Sequence, residues 1–355
     1  MVYNFNAGPG ILPPEVLEGS RQAITDFEGT GLSILEVGHR TPAFEAVVRE
    51  GQDLVRALMD LSPSQEVLFL PGGATTQFFQ VPMNFLAADG VAAYLDAGIW
   101  GAKAIREARL WGGVQVVGSS REQGYRHIPK DWTVPPGAAY LHYTTNNTVE
   151  GTQMQAIPDA DVPLVADMSS DILSRRIDHR RFALLYAGAQ KNLGAAGVTL
   201  VVVDRAQLDR QVRQVPGMVD YRQHAQHGSM LNTPPVFAVY VCLLTLRWIR
   251  AQGGIDAIAA ANDRKADLLY GTLDALPTFR PTVERADRSR MNVVFVIDEP
   301  ALEKAFLDRC QAEGMVGIRG HRSFGGFRIS LYNALPTGHV EAFTTLMRDF
   351  AQRHG

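Results

Sequence analysis

The chain has 355 residues, of which 46% are hydrophobic and 20% charged, and its formal net charge is −3. This length predicts one large domain and one smaller domain, because a single core rarely serves so long a chain. The slight negative charge offers no attraction to nucleic acid or an anionic membrane, so both are excluded as expected partners. The longest apolar run, 236–246, is much shorter than the ~20 residues of a membrane span.

Cysteine usage and the N-terminal segment bear on the compartment. The two cysteines, Cys242 and Cys310, lack the spacing of a redox or metal motif, so we expect no disulfide framework. The first residues, MVYNFNAGPG, do not combine a basic segment with an apolar one, as a secretory signal does. A reducing, cytoplasmic location is therefore expected.

Helical and strand patterns alternate from about residue 15 to residue 250. A helix is predicted over 41–60, where Thr41 suits the N-cap and Pro42 the first helical position. The strands are nearly continuous in apolar residues, which is typical of a mostly parallel sheet covered by helices on both faces. Strands are predicted at 66–70, 91–98, 114–118, 138–143, 162–167, 182–188 and 198–204.

The pattern changes after the long helical stretch at 254–276. A strand at 291–298, a helix at 300–314, a glycine-rich strand at 325–332 and a final helix form a compact α+β unit. We therefore place a domain boundary near residue 255. The expected division is a large domain over 15–255 and a small α+β domain over 256–355, with residues 1–14 packing nearby.

One lysine stands in an unusual context. Lys191 lies in AGAQKNLGAAG (187–197), a tight connection between two apolar strands, where an ammonium is costly to desolvate. Arginine cannot release its proton, whereas a lysine amine can become neutral and nucleophilic, so Lys191 is a candidate catalytic residue. The other four lysines lie in amphipathic helical patterns (Lys103, Lys265, Lys304) or in a loop (Lys130).

Four further features suggest ligand binding, each with an ordinary structural alternative. PGGATTQF (71–78) is either a phosphate cradle at a helix start or a plain capped turn, and it matches no nucleotide-binding motif. Asp167 ends an apolar strand, where open α/β sheets place ligand contacts, or it caps the next segment. Trp100 either stacks on a planar ligand or belongs to the core. The polar run at 142–153 is a ligand contact or a surface loop.

Arginine and histidine occur together in two segments. His39 and Arg40 precede a helix, and a glycine-rich segment at 317–328 contains Arg319, His321, Arg322 and Arg328. Guanidinium groups are the preferred binders of carboxylate and phosphate. A lysine, a strand-end aspartate, a phosphate cradle and a stacking aromatic are together what a pyridoxal phosphate enzyme requires.

Several motifs along the whole chain are specific enough to be compared with known families. The most specific are DMSSDILSR, AGAQKNLG and SMLNTPP. The others are NFNAGPGILPPEVL, EVGHR, GGATTQF, DAGIW, NNTVEG, DRSRMNV and GHRSFGGFRISLYNAL. In these motifs the chain resembles the phosphoserine aminotransferases, which are class V pyridoxal-phosphate aminotransferases. The resemblance implies the α/β fold of type I, with a mostly parallel seven-stranded sheet, and pyridoxal 5'-phosphate as cofactor.

The same resemblance assigns roles to individual residues. It implies that Lys191 binds the cofactor covalently, that Asp167 pairs with the pyridine nitrogen and that Trp100 stacks on the ring. The remaining implied cofactor contacts are Ala74, Thr75, Thr148 and Gln190, together with Asn232 and Thr233 from the second subunit of a homodimer. For the substrate it implies Arg40 at the carboxylate and His39, His321, Arg322 and Arg328 around the phosphate. No metal is implied.

The implied reaction is a ping-pong transamination in L-serine biosynthesis. L-glutamate gives its amino group to 3-phosphohydroxypyruvate, yielding O-phospho-L-serine and 2-oxoglutarate, and some members also use 3-hydroxy-2-oxo-4-phosphooxybutanoate in pyridoxine biosynthesis. The chain departs from the best-known bacterial pattern in having Thr75 in place of an arginine and Ala7 in place of a serine. The phosphate shell is therefore expected to depend more on His321, Arg322 and Arg328.

Two other functions remain open from the sequence. A class V aminotransferase with another acceptor, such as glyoxylate or pyruvate, shares Lys191 and Asp167 but does not need the basic segment at 317–328. A non-catalytic nucleotide- or phosphate-binding module needs the glycine turn at 71–78 but not the lysine. The acceptor and the covalent cofactor link are the properties that separate these functions.

Overall fold

A computed structural model describes residues 2–354. Its helices are α1 (Pro14–Thr25), α2 (Pro42–Met59), α3 (Ala74–Phe85), α4 (Ile99–Ala108), α5 (Arg205–Leu208), α6 (Tyr221–Gln226), α7 (Val236–Ala251), α8 (Gly254–Ala275), α9 (Pro300–Ala312) and α10 (Thr337–His354). Its strands are β1 (Tyr3–Asn4), β2 (Gln65–Pro71), β3 (Val91–Asp96), β4 (Gly113–Ser119), β5 (Leu141–Thr144), β6 (Leu164–Asp167), β7 (Phe182–Gly188), β8 (Val198–Asp204), β9 (Arg280–Pro281), β10 (Asn292–Val296), β11 (Met315–Val316) and β12 (Phe327–Ser330).

Seven strands form the main sheet in the order β2-β8-β7-β6-β5-β3-β4. Neighbouring pairs from β7 to β4 are parallel, whereas β8 runs antiparallel to both β7 and β2. The predicted mostly parallel seven-stranded sheet is confirmed. The carboxyl ends of β5, β6 and β7 meet at one edge, which positions the turns that follow them.

Both faces of this sheet are covered by helices, and the side chains of β2 show how. Val67 and Phe69 belong to one apolar cluster with side chains of α2 and α7. Leu68 and Leu70 point to the opposite face and join a second cluster with α3 and α4. Because successive strand residues point to opposite faces, a continuous apolar run is what a doubly covered sheet requires.

A separate apolar cluster lies around the antiparallel sheet β12-β10-β9 and the helices α9 and α10. Phe5 joins it, since β1 pairs with β11. Helix α8 contributes to two clusters, because Ile255 packs in the core of the main sheet and Leu273 in this one. The two-domain division near residue 255 stays a prediction, which the separate clusters support.

Buried polar contacts also tie α8 to the segment after β12. Lys265 is 1% exposed, and its Nζ donates to the carbonyl oxygens of Leu331 (2.9 Å) and Tyr332 (2.8 Å). Burial lowers the pKa of Lys265 to about 7. Asn262 Nδ2 donates to Asn333 Oδ1 at 2.9 Å. The amphipathic spacing of α8 in the sequence gives no sign of this burial.

Within residues 2–354, no single helix has the length and apolar character to cross a membrane. Helices α7 and α8 meet these criteria only as a pair, and they are bent by 84° at the break between them. Both helices contribute side chains to the apolar cores described above.

Candidate active site

Polar residues follow β5, β6 and β7 where these strands end at the same edge of the sheet. Thr144 and Asp167 are register partners on β5 and β6, and Asp167 is opposite Tyr186 on β7. The turn after β7 brings Lys191 back to this edge. The sequence elements that looked separate along the chain therefore converge because parallel strands place their carboxyl ends together.

The Lys191 amine is held by hydroxyl groups from two of these turns. Its Nζ donates to Thr148 Oγ1 at 2.7 Å and to Ser170 Oγ at 2.9 Å, and these two hydroxyl oxygens lie 2.6 Å apart. The pKa of Lys191 is lowered to about 8, mainly by burial and in part by the positive charge of Arg328, and the negative charge of Asp167 opposes this shift. A substantial share of the amine is therefore neutral in weakly basic solution.

Asp167 is fixed by Ser169 through one oxygen, and its other oxygen accepts no hydrogen bond from residues 2–354. Its Oδ1 accepts hydrogen bonds from Ser169 N at 2.9 Å and Ser169 Oγ at 2.7 Å. Ser169 Oγ in turn accepts from Gly188 N at 3.0 Å, which ties the carboxylate to β7. Burial raises the pKa of Asp167, so a cationic group at its free oxygen would stabilise the ionised form.

These side chains enclose a cavity of about 110 Å³ at the amino end of α3. Helix amino ends attract anions, and Gly73 and Ala74 begin this helix. Seven residues predicted from the sequence meet at this cavity: Ala74, Thr75, Trp100, Thr148, Asp167, Gln190 and Lys191. Their roles towards a cofactor stay predictions.

Six other lining residues were not predicted as site residues: Gly73, Phe78, Thr144, Asn146, Ser169 and Ser170. Thr144 is the last residue of β5, and Asn146, Ser169 and Ser170 lie in the segments that follow β5 and β6. The signal that could have identified them is their position directly after apolar strands, since Asn146 and Thr148 belong to one polar run.

Glu150 connects the turn that carries Thr148 with the helix that carries Trp100. Its Oε1 accepts a hydrogen bond from Ile99 N at 2.7 Å, at the first residue of α4. Its Oε2 is buried and has no hydrogen-bond partner within residues 2–354. Burial raises the pKa of Glu150 to about 7, so its negative charge is incomplete near neutral pH.

Among the predicted substrate residues, Arg328 on β12 is the one whose charge acts on the Lys191 amine, since it lowers the pKa of Lys191. Arg328 is half-buried, burial lowers its own pKa, and its guanidinium has no ion-pair partner among residues 2–354. It lines a second cavity of about 440 Å³, together with Asn6, Ala7, Gly8 and Arg319 among others.

Partial burial and the charges of Arg328, Arg322 and Lys103 lower the pKa of His321. This charge effect indicates that these side chains lie in the same neighbourhood. Asn232 and Thr233 do not line the Lys191 cavity, and Asn232 Nδ2 instead donates to Thr233 O at 3.1 Å. Two other predicted residues, His39 (half-buried) and Arg40 (exposed), are also outside it. The predicted roles of Asn232 and Thr233 involve a second subunit, and those of His39 and Arg40 concern the substrate; all of these roles stay predictions.

Comparison with known sequences gives matches over the whole chain. The model of the family described as Aminotransferase class-V matches residues 2–343. A phosphoserine aminotransferase of Flavobacterium johnsoniae is 48% identical over 347 residues, and the match covers 98% of both proteins. The phosphoserine aminotransferase of Phocaeicola vulgatus is 48% identical over 355 residues, with 99% of both covered.

Comparison with solved structures agrees. The phosphoserine aminotransferase of Bacillus circulans subsp. alkalophilus is similar with a TM-score of 0.97 and 43% identity, covering 100% of this chain and 99% of that one. The PLP-bound phosphoserine aminotransferase of Trichomonas vaginalis has a TM-score of 0.94 and 33% identity, covering 98% and 100%. An alanine–glyoxylate aminotransferase of Nostoc sp. has a TM-score of 0.77 at 18% identity and shares the fold alone.

Proposed function

Because the chain belongs to the class V aminotransferase family, we propose that it transfers the amino group of L-glutamate to 3-phosphohydroxypyruvate. The products are O-phospho-L-serine and 2-oxoglutarate, and the reaction serves L-serine biosynthesis. Full-length similarity to phosphoserine aminotransferases supports this reaction. The observation that carries it is the placement of the Lys191 amine, with its lowered pKa, beside the buried carboxylate of Asp167 in one cavity.

The cavity fits pyridoxal phosphate by the chemistry of its lining. Trp100 Nε1 and Thr144 Oγ1 are buried there without hydrogen-bond partners in the described chain, and Asp167 has a free oxygen. Asp167 would hold the protonated ring nitrogen, Trp100 would cover the ring, and Lys191 would provide the covalent link. The amino end of α3 at Ala74, with Thr75 and Gln190, would hold the phosphate. When bound, the cofactor supplies an electron sink for the substrate's α-carbon.

Lys191 moves the proton in this reaction. The α-carbon of the substrate must lose a proton in one half-reaction and gain one in the other, so the same group serves as base and acid. The Lys191 amine suits both roles because its pKa of about 8 is near the operating pH. Thr148 and Ser170 orient Nζ through the hydrogen bonds that they accept.

Arg328, whose charge acts on the Lys191 amine, is suited to bind the substrate's α-carboxylate. In either substrate the carboxylate is bonded directly to the reacting carbon, whereas the phosphate of the acceptor is three bonds away from it. Arg328 affects the Lys191 amine and has no partner of its own among residues 2–354. We therefore propose Arg328 for the carboxylate, although the resemblance suggests the phosphate, and leave the phosphate to His321 and Arg322.

Arg328→Gln should lower kcat/KM by about 100-fold for L-glutamate and for every acceptor, since a charge-assisted pair is lost. Steady-state kinetics with phosphorylated and unphosphorylated hydroxypyruvate would measure this. Arg319→Gln is the matched control, because Arg319 lines the same second cavity but is exposed. A loss confined to the phosphorylated acceptor would instead indicate that Arg328 binds the phosphate.

The second subunit completes this proposal. We infer a cytoplasmic homodimer in which Asn232 and Thr233 of one subunit reach the cofactor phosphate of the other, and His39 and Arg40 reach its substrate. The exposed leucines at positions 32 and 35, which are 50% and 65% exposed in the single chain, support an interface beside His39 and Arg40.

The acceptor preference tests the function directly. With L-glutamate as donor, we expect kcat/KM for 3-phosphohydroxypyruvate to exceed that for hydroxypyruvate, pyruvate and glyoxylate by about 10³-fold or more, because the others leave the phosphate-binding side chains without an anionic partner. Arg322→Ala should reduce this preference. Equal rates with glyoxylate or pyruvate would favour the alternative aminotransferase and reject this function.

A further inference from the structure

Lys103 on α4 is a cation without a counterion within residues 2–354, and its ammonium lies over the Trp100 ring. Each of the other lysines has a hydrogen bond or an ion pair: Lys130 with Asp287, Lys191 with Thr148, Lys265 with Leu331 and Lys304 with Asp308. Within residues 2–354, Lys103 alone among lysines has neither, although it is half-buried. A partly desolvated ammonium without a counterion is a place where an anion is favoured.

Lys103 lies behind a side chain of the site, although it does not itself line the Lys191 cavity. Its Nζ lies 4.2 Å from the centre of the Trp100 ring, and Lys191 Nζ lies 5.9 Å from the same centre. Trp100 itself lines the Lys191 cavity. The Lys103 ammonium is therefore beside the aromatic ring that borders the reacting amine, rather than on the distant face of α4.

Lys103 is close enough to His321, which follows β11 in the chain, for its charge to lower the pKa of that side chain, as the charges of Arg328 and Arg322 also do. None of these four side chains has a carboxylate partner among the described residues. Glu150 is the carboxylate whose charge acts on Arg328, and burial raises the pKa of Glu150 to about 7, so it neutralises this group only in part.

We propose that Lys103 is a specificity-determining residue that binds the phosphate of the acceptor from the α4 side, opposite His321 and Arg322. The inference rests on the proposed function and adds a residue to it. Arg328 and Lys191 serve the carboxylate and the reacting carbon, so a cation beyond the Trp100 ring faces the substrate's distal end. A phosphate dianion gains more from this charge than an uncharged hydroxyl does.

The test compares Lys103→Met, which keeps the aliphatic stem, with Lys103→Arg and with Arg106→Met. Arg106 is the control, because it lies on the same helix and pairs with Glu107 at the surface. We expect Lys103→Met to lower kcat/KM for 3-phosphohydroxypyruvate by about 10- to 100-fold and to leave hydroxypyruvate within about twofold. Lys103→Arg should recover most of the loss, and Arg106→Met should change neither acceptor.

An equal loss with both acceptors would overturn the proposal, since Lys103 would then only support Trp100, and so would an unchanged preference. Inhibition of the L-glutamate half-reaction by inorganic phosphate gives a second measurement, in which Lys103→Met should raise the inhibition constant about tenfold. An unchanged constant would also overturn it. If wild-type enzyme shows no preference for the phosphorylated acceptor, the proposed function fails, while the phosphate inhibition still decides the role of Lys103.

Discussion

Replacement of Lys191 by alanine should lower kcat by about 10⁴-fold or more, because covalent attachment and proton transfer both depend on its amine. Holoenzyme absorbs visible light through the lysine-linked cofactor, so the variant should also lose this band. Stopped-flow spectroscopy of the L-glutamate half-reaction would measure both effects. Added methylamine should restore part of the rate, since a small amine can enter the space that the side chain leaves.

The control for this change is Lys304→Ala, because Lys304 is an exposed lysine paired with Asp308 on α9. It should keep the wild-type rate and spectrum. A Lys191→Ala variant that retained the visible band, or more than about a tenth of the rate, would contradict the assignment of Lys191 and favour a non-catalytic binding module.

Asp167→Asn should lower kcat by about 10³-fold with little change in the free energy of unfolding, because the amide keeps the shape but loses the charge. The amide oxygen can still accept from Ser169 N and Ser169 Oγ. What is lost is the negative partner that keeps the ring nitrogen protonated. Steady-state kinetics and thermal unfolding of the holoenzyme would separate the two effects.

Asp171→Asn is the matched control for Asp167. Asp171 is also a buried carboxylate, but its oxygens accept from Thr145 Oγ1 and Gln153 Nε2, and it does not line the cavity. Its replacement should lower the melting temperature of the holoenzyme, but it should reduce kcat far less than Asp167→Asn does. If Asp167→Asn kept the rate within about tenfold of wild type, the pairing with the ring nitrogen would be refuted.

Much of the site follows from local sequence because the sheet is parallel. Apolar runs identify the strands, and the polar residues that end or follow each run lie at the common edge, which is how Asp167 and the polar run at 142–153 could be predicted. Within that run, Thr148 was singled out only by the family resemblance. Ser170 follows the same rule but was hidden in a segment that also reads as a helix cap. The contact between Lys191 Nζ and its two hydroxyl partners depends on turn conformations that spacing does not give.

Other features depend on distant contacts and could not be predicted. The small number of lysines drew attention to Lys191, yet Lys265 is more deeply buried. Helix α8 packs against two cores, and because its spacing does not reveal which face meets them, the burial of Lys265 could not be predicted. The approach of Arg328 to Lys191 results from the packing of β12, far along the chain. The predicted roles of Asn232 and Thr233 involve another subunit, and the position of that subunit cannot be derived from the sequence of one chain.

Helix α8 has a mechanical consequence for catalysis. Its 22 residues form one rod of about 33 Å, anchored in the core of the main sheet near Ile255 and in the second core near Leu273. Lys265 fastens the middle of this rod to the backbone just beyond Arg328. In the role proposed for Arg328, this rod would act as a strut that holds the guanidinium at a fixed distance from the Lys191 amine. Because the α-carboxylate is bonded to the reacting carbon in every substrate, small changes in α8, remote from any substrate atom, would misalign all substrates alike.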